Sequence, residues 1–169
     1  DFMPLALSFQ ENLYLDGYTQ RALGDASGSV VGQAADPLYC AGDTLDLTLY
    51  WSSRGIVSEN YHSFVHLLNW AGNPLLKIDH LPGSIAHYPR TWNDLYPVPD
   101  PYHFTIPDTL PSGLYRPLLG LYSFNRPAER LVATAEEGTK TGDILLPPVK
   151  IVGKVSTQPR QTLQGIIGA

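Results

Sequence analysis

The stretch TLDLTLYW, residues 44–51, puts Leu45, Leu47, Leu49 and Trp51 on one side of an extended chain and Thr44, Asp46, Thr48 and Tyr50 on the other. A period of two belongs to a strand with one face in a core and the other in water; on a helix the same apolar positions would scatter around the circumference. The preceding CAGD and the following SSRG supply turns. Such a strand needs neighbours in a sheet and a second apolar layer over its leucines, which restricts the chain to folds with a covered sheet.

The neighbouring segments extend this reading. YHSFVHLLN (61–69) is apolar on both sides, with Phe64 and Leu68 beside His62 and His66 and with Val65 and Leu67 opposite, the pattern of a central strand. WAGNP then turns the chain into LLKID (75–79), predicting a hairpin. From Leu81 to Pro111 there are seven prolines. Proline cannot donate to a sheet ladder, so this segment is expected to be an aromatic-rich excursion over the surface, interrupted by a short strand at 102–106. SGLYRPLLGLYSF (112–124) returns to strand, and Pro117 in it demands an edge position or a bulge. RLVATA and DILLPPVKIVG read as the last strands, LALSFQ and NLYLDGYTQ as the first.

Composition agrees with a turn-rich β protein. Charged residues are 16% of the 169, against roughly 25% in average domains, while glycine and proline number 15 each. The expected fold is all-β, a two-sheet antiparallel β-sandwich of jelly-roll, carbohydrate-binding-module-like or immunoglobulin-like kind, with about eight strands and no substantial helix. One domain is expected over residues 1–153, followed by a polar C-terminal tail at 154–169. No apolar run approaches the roughly 18 residues of a membrane span, and the chain opens without a methionine, as a piece of a larger protein would. The net charge of -5 gives no basic footprint for nucleic acid. Cys40 is the single cysteine, which excludes an internal disulfide and a thiolate zinc cluster, and it reads as a small buried residue.

Five histidines invite a metal site. His62 and His66 have the spacing of a helical zinc pair, but HSFVH lacks the glutamate of zinc peptidases. On a strand the two would lie about 13 Å apart, too far for one zinc ion. Neither a G-x-S-x-G elbow nor a phosphate-binding glycine loop is present. A carboxylate pair across a cleft is the remaining catalytic route, with Asp79, Asp94, Asp100, Asp108 and Glu129 available. For calcium, Asn93, Asp94 and Asp100 offer oxygens without the regular alternation of a dedicated loop, so no cofactor is assigned. Aromatic residues are more informative: Tyr88, Trp92, Tyr96 and Tyr102 crowd the excursion and Trp70 sits in the hairpin turn. Flat rings with polar edges suit sugar faces and equally suit burying a long loop.

The segments PLYCAGDTLDLTLYWSS, YHSFVHLLNWAGNPLLKIDHLP, YPRTW, LPSGLYRPLLGLYSF and ERL together resemble a known family. It is the soluble β-sandwich module at the C-terminal end of large bacterial, especially Chloroflexi-type, membrane glycosyltransferases similar to dolichyl-phosphate-mannose-protein mannosyltransferases. The matching positions are Gly42 to Leu45, Phe64 to Leu67, Gly72, Asp79 to Pro82, Tyr88 to Trp92, Pro111 to Tyr122 and Glu129 to Leu131, within residues 37–152. Lys77 and Arg90 depart from the family pattern, at a glutamine before D-x-x-P and a threonine after Y-P. The resemblance implies a non-catalytic accessory module on the extracytoplasmic side of the membrane. Its partners would be the transmembrane part of its own parent chain and carbohydrate or a lipid-linked sugar acceptor. Two other readings stay open: a carboxylate-based glycoside hydrolase and a purely structural domain that packs on a partner. His66, Asp79 and Arg130 are expected to form a structural polar cluster, His66 being buried with Asp79, Arg130 or a tyrosine hydroxyl as partner.

Overall fold

Leu45, Leu47, Leu49 and Trp51 are all fully buried, and each residue between them is half-exposed. In the computed structural model, which describes residues 1–10, 12–23, 38–83, 87–92 and 96–153, this alternation belongs to a strand in the interior of one of two sheets. The strands are β1 (Phe2–Ser8), β2 (Leu13–Leu23), β3 (Leu38–Cys40), β4 (Thr44–Ser53), β5 (Tyr61–Leu68), β6 (Pro74–His80), β7 (Val98–Thr105), β8 (Gly113–Ser123), β9 (Arg126–Arg130), β10 (Ala133–Thr134), β11 (Lys140–Thr141), β12 (Ile144–Leu145) and β13 (Val149–Val152). The only helical element among the described residues is a 3-10 turn at Pro89–Thr91. None of their helices is long and apolar enough to cross a membrane. The tail at 154–169 lies outside the described residues.

The first sheet runs β11-β10-β1-β2-β4-β7 and the second β3-β13-β8-β5-β6, with β12 and β9 also paired to β8. Between them lies one core of inward leucines, aromatics and valines, among them Leu15, Trp51, Val65, Leu67, Tyr102, Leu119 and Ile151. The fold is therefore a two-sheet all-β sandwich. Two details differ from expectation. The described residues hold thirteen strands, because several pairings are only two to five residues long and leave no periodic trace. The second sheet is mixed: β13 runs parallel to β3, with Lys150, Ile151 and Val152 opposite Leu38, Tyr39 and Cys40. Tyr39 takes the buried position on β3, so Cys40 faces outward and is exposed instead of buried.

The prolines also have structural reasons. β7 is longer than expected and contains Pro99 and Pro101; it is an edge strand of its sheet, with β4 its only strand partner among the described residues, so missing N–H groups cost no ladder bond on the free side. Pro117 is not at a sheet edge. It sits in β8 between the stretches paired to β13 and to β12, where LPPV interrupts the neighbouring chain, and Leu146 N donates to its carbonyl at 2.9 Å. A residue's nitrogen and carbonyl point to the same side of a strand, so the missing donor falls on that interruption.

β5 and β6 form the expected hairpin, closed by Asn69 N to Asn73 O at 2.9 Å and by Gly72 at φ 82°. On the outer face of the second sheet, Phe64 of β5 lies over its cross-strand neighbour Gly120 of β8. A Cβ at 120 would stand 2.8 Å and 2.9 Å from two ring carbons of Phe64, so only glycine lets the ring lie flat. This ring is 2% exposed although it is on the outer face, because Arg130 covers it with its guanidinium 4.8 Å from the centroid. Gly120→Ala is expected to lower stability by about 1–3 kcal/mol through overpacking against Phe64. Urea denaturation checks it, and an unchanged midpoint would contradict the packing.

Candidate functional site

The alternation of β7 carries Val98, Asp100, Tyr102 and Phe104 inward, Val98 only half-buried, and turns Pro99, Pro101, His103 and Thr105 outward. A carboxylate thus enters the core between the sheets, fully buried. Its Oδ2 accepts from Trp51 Nε1 on β4 at 3.0 Å and from Ser63 Oγ on β5 at 2.6 Å. Its Oδ1 accepts from His80 Nε2 at the end of β6 at 2.6 Å and from Gly83 N at 3.4 Å. The Tyr102 hydroxyl donates to Ser63 Oγ and lies 3.1 Å from Oδ2, while its ring stacks on His80 at 4.5 Å between centroids. Donors from both sheets therefore converge on one carboxylate, which meets the requirement that a buried charge be hydrogen-bonded on every side. Burial, followed by the Asp100 charge, pushes the Tyr102 phenol well above the usual tyrosine range. Burial likewise pushes Tyr39 up to about 12.

Asp100 also brackets the excursion that leaves β6 and returns as β7. One stem, His80 and Gly83, is bonded to the other stem at Asp100. The excursion forms one wall of a groove of about 590 Å³ lined by Trp92, Tyr96, His87, Pro97, Pro99 and Pro101, with Thr91, Val98 and Gly83. The indole N–H of Trp92 donates to the His87 carbonyl at 2.7 Å, and Thr91 Oγ1 donates to the Tyr88 carbonyl at 2.8 Å. Trp92 is 8% exposed and fixed, whereas Tyr96 is 77% exposed. The walls are largely apolar, and among the described lining residues His87, Tyr96 and Thr91 are the ones whose side chains can hydrogen-bond. Among the described residues that line the groove, none is a carboxylate.

The five aromatics singled out from the sequence separate. Trp92 and Tyr96 meet in the groove, and Tyr88 is half-buried beside them at the 3-10 turn. Trp70 is 71% exposed in the β5–β6 turn, under the guanidinium of Arg116 at 5.2 Å, and borders a different, smaller depression with Leu68 and Leu145. Tyr102 is not a loop residue at all: it is fully buried in β7, because it shares the inward parity of Asp100 and Phe104. Of the calcium candidates, Asn93 and Asp94 lie outside the described residues, and both oxygens of Asp100 are held inside the core.

His66 Nε2 is 2.7 Å from Asp79 Oδ1, and its ring lies 4.8 Å from Phe64. The Tyr122 phenol is pushed up by burial and then by Asp79 beside it. Arg130 joins this cluster through Phe64 and not through Asp79; its Nη1 donates to Asp143 at 3.0 Å. His62 pairs with the Tyr122 hydroxyl at 3.1 Å and His103 lies 2.6 Å from Asp46. No three His, Cys, Asp or Glu side chains among the described residues come together to hold a metal ion. The Asp100 clasp has one signal in the sequence, the run Asp100, Tyr102, Phe104, Ile106, in which the apolar alternation continues backward through a carboxylate.

Asp100→Ala is expected to cost about 3–5 kcal/mol, since it strands the buried donors of Trp51 and Ser63 and the part-buried ones of His80 and Gly83; thermal and urea unfolding read this, and a loss under about 1 kcal/mol would contradict it. A second expectation concerns alkali. Tyr39 and Tyr102 keep their protons in the folded chain above pH 10, where the unfolded chain loses them, so stability present below pH 10 falls as pH rises toward 12. Unfolding midpoints followed across that range should decline, and a flat profile would contradict the burial of these phenols. Compared with known families and curated proteins, the chain matches no family model and no curated protein.

Proposed function

We propose that the chain is a non-catalytic accessory module that contacts a glycan, or the sugar of a lipid-linked acceptor, through the groove of Trp92 and Tyr96. We place it in this reading on the extracytoplasmic side of a membrane glycosyltransferase-like parent. The observation that carries the binding clause is the groove itself: a fixed indole, an exposed tyrosine and three prolines form apolar walls. The C–H faces of a pyranose ring pack on such rings, and His87, Thr91 and the Tyr96 hydroxyl are within the lining to bond its hydroxyls. The parentage clause is supported by the order and spacing of the motifs from Gly42 to Leu131.

A hydrolytic role has less support. It needs two carboxyl groups roughly 5–10 Å apart across a cleft, and the described lining of this groove offers none. A partner-packing role has one specific observation in its favour. Leu38, Leu114 and Val152 are 45%, 39% and 38% exposed and lie on adjacent strands β3, β8 and β13 of the second sheet.

Titration with a panel of neutral and acidic oligosaccharides, read by tryptophan fluorescence and calorimetry, tests the binding clause. Tyr96→Ala should weaken binding about fivefold or more without altering the unfolding midpoint, because stacking on one ring contributes on the order of 1 kcal/mol. Absence of binding across the panel, or an affinity indifferent to Tyr96→Ala, would remove the clause. The reading frame upstream of Asp1 tests the parentage: a series of apolar spans is expected, and a frame that starts within a few codons would overturn it.

A further inference from the structure

Every sheet has two edges, and an open edge is a template for another strand. Among the described residues three of the four edges are closed off by their own sequence: β7 carries Pro99 and Pro101, β3 is three residues long and β11 two. The fourth is different. Among the described residues β6 pairs only with β5; it runs for seven residues, has its proline at the first position, and keeps regular register from Leu76 to His80, with its one irregularity at Leu68 opposite Pro74. Its inward residues Leu76 and Ile78 pack against the core yet remain only half-buried, the state of a layer that ends without a cover.

Pro74 and the irregularity beside it blunt only the start of β6; within the regular stretch from Leu76 to His80, Lys77 is the residue that natural edges use most against pairing. Its effect depends on register. In an antiparallel pair of two β6 strands related by a two-fold axis, centring on residue 77 sets lysine against lysine, and centring on 79 sets aspartate against aspartate. Centring on Ile78 instead sets Lys77 of each copy opposite Asp79 of the other, twice, on the outer face. The same register puts Ile78 against Ile78 on the inner face and Leu76 against His80, so the half-buried apolar row continues across the axis. Asp79 bonds His66 on its own sheet, across β6 from the free edge, and an ammonium from the second copy would approach from the edge side.

We infer that the β6 edge is a homodimer interface, in which two copies join their second sheets antiparallel with Ile78 on the two-fold axis. The interface is isologous, so it closes at two and leaves no edge for further growth. It uses no residue of the Trp92 groove and stands whether or not that groove binds sugar.

Sedimentation velocity over a concentration series, together with site-directed cross-linking, tests this. The wild-type chain should show a monomer–dimer equilibrium, and Lys77→Glu, an exposed position, should weaken it roughly tenfold or more by turning two attractive cross-strand pairs repulsive. In a Cys40→Ser background, Ile78→Cys should form a disulfide-linked dimer on mild oxidation, since antiparallel neighbours have Cα atoms about 4.5–5.5 Å apart. Leu76→Cys, offset by four residues from its own copy, should not. A chain that stays monomeric to about 1 mM, a dimer indifferent to Lys77→Glu, or equal linking at 76 and 78 would each overturn the inference.

Discussion

One buried carboxylate holds the two sheets in relation to each other. Asp100 draws donors from β4 and β7 in one sheet and from β5, β6 and the Gly83 amide on the other side. β6 and β7 are each an edge strand of their sheet, with a single neighbour among the described residues, and edges are where a sandwich gains least from its own ladders. The clasp sits at that weak place. Because a charge stripped of water is tolerated only when its lone pairs are filled, the geometry admits little sliding of one sheet over the other. The same alternation that turns Asp100 and Tyr102 inward turns Pro99 and Pro101 outward into the groove wall. Groove and clasp are the two faces of one strand, so the position of the groove follows from the bonding of a residue that does not line it.

The segments that give the chain its family resemblance converge elsewhere. Phe64, His66, Asp79, Gly120, Tyr122 and Arg130 meet on the outer face of the second sheet. There an aromatic ring fills the space over a glycine and an arginine seals it from water. Gly42 and Gly72, at φ 96° and 82°, form the turns at either end of the β4–β5 segment. In physical terms these segments describe how the sheet is built, and none of them except YPRTW contributes to the groove. A likeness carried by them speaks for shared architecture more than for a shared ligand.

Much of this was legible in the sequence where the signal is local and periodic. The faces of β4, the two-sided burial of β5 and the β5–β6 hairpin follow from spacing alone. What escaped is non-local. The parallel pairing of β13 with β3 joins segments about a hundred residues apart and has no spacing to betray it. Pro117 was expected at an edge or bulge, yet a break in the neighbouring strand absorbs it just as well. Tyr102 was grouped with the loop aromatics because prolines at 99 and 101 mask a strand, and an edge strand tolerates them. For the same reason the sequence offers the carboxylate between them as a catalytic or calcium candidate, whereas the strand parity turns it into the core.

Asp100 couples the two sheets, and a double-mutant cycle tests this coupling most directly. Trp51 and Ser63 belong to different sheets and both donate to Asp100 Oδ2. Trp51→Phe and Ser63→Ala, singly and together, measured by urea denaturation, should show a coupling energy of about 0.5 kcal/mol or more that vanishes in an Asp100→Asn background with its altered acceptor. Strict additivity, within about 0.3 kcal/mol, would contradict it.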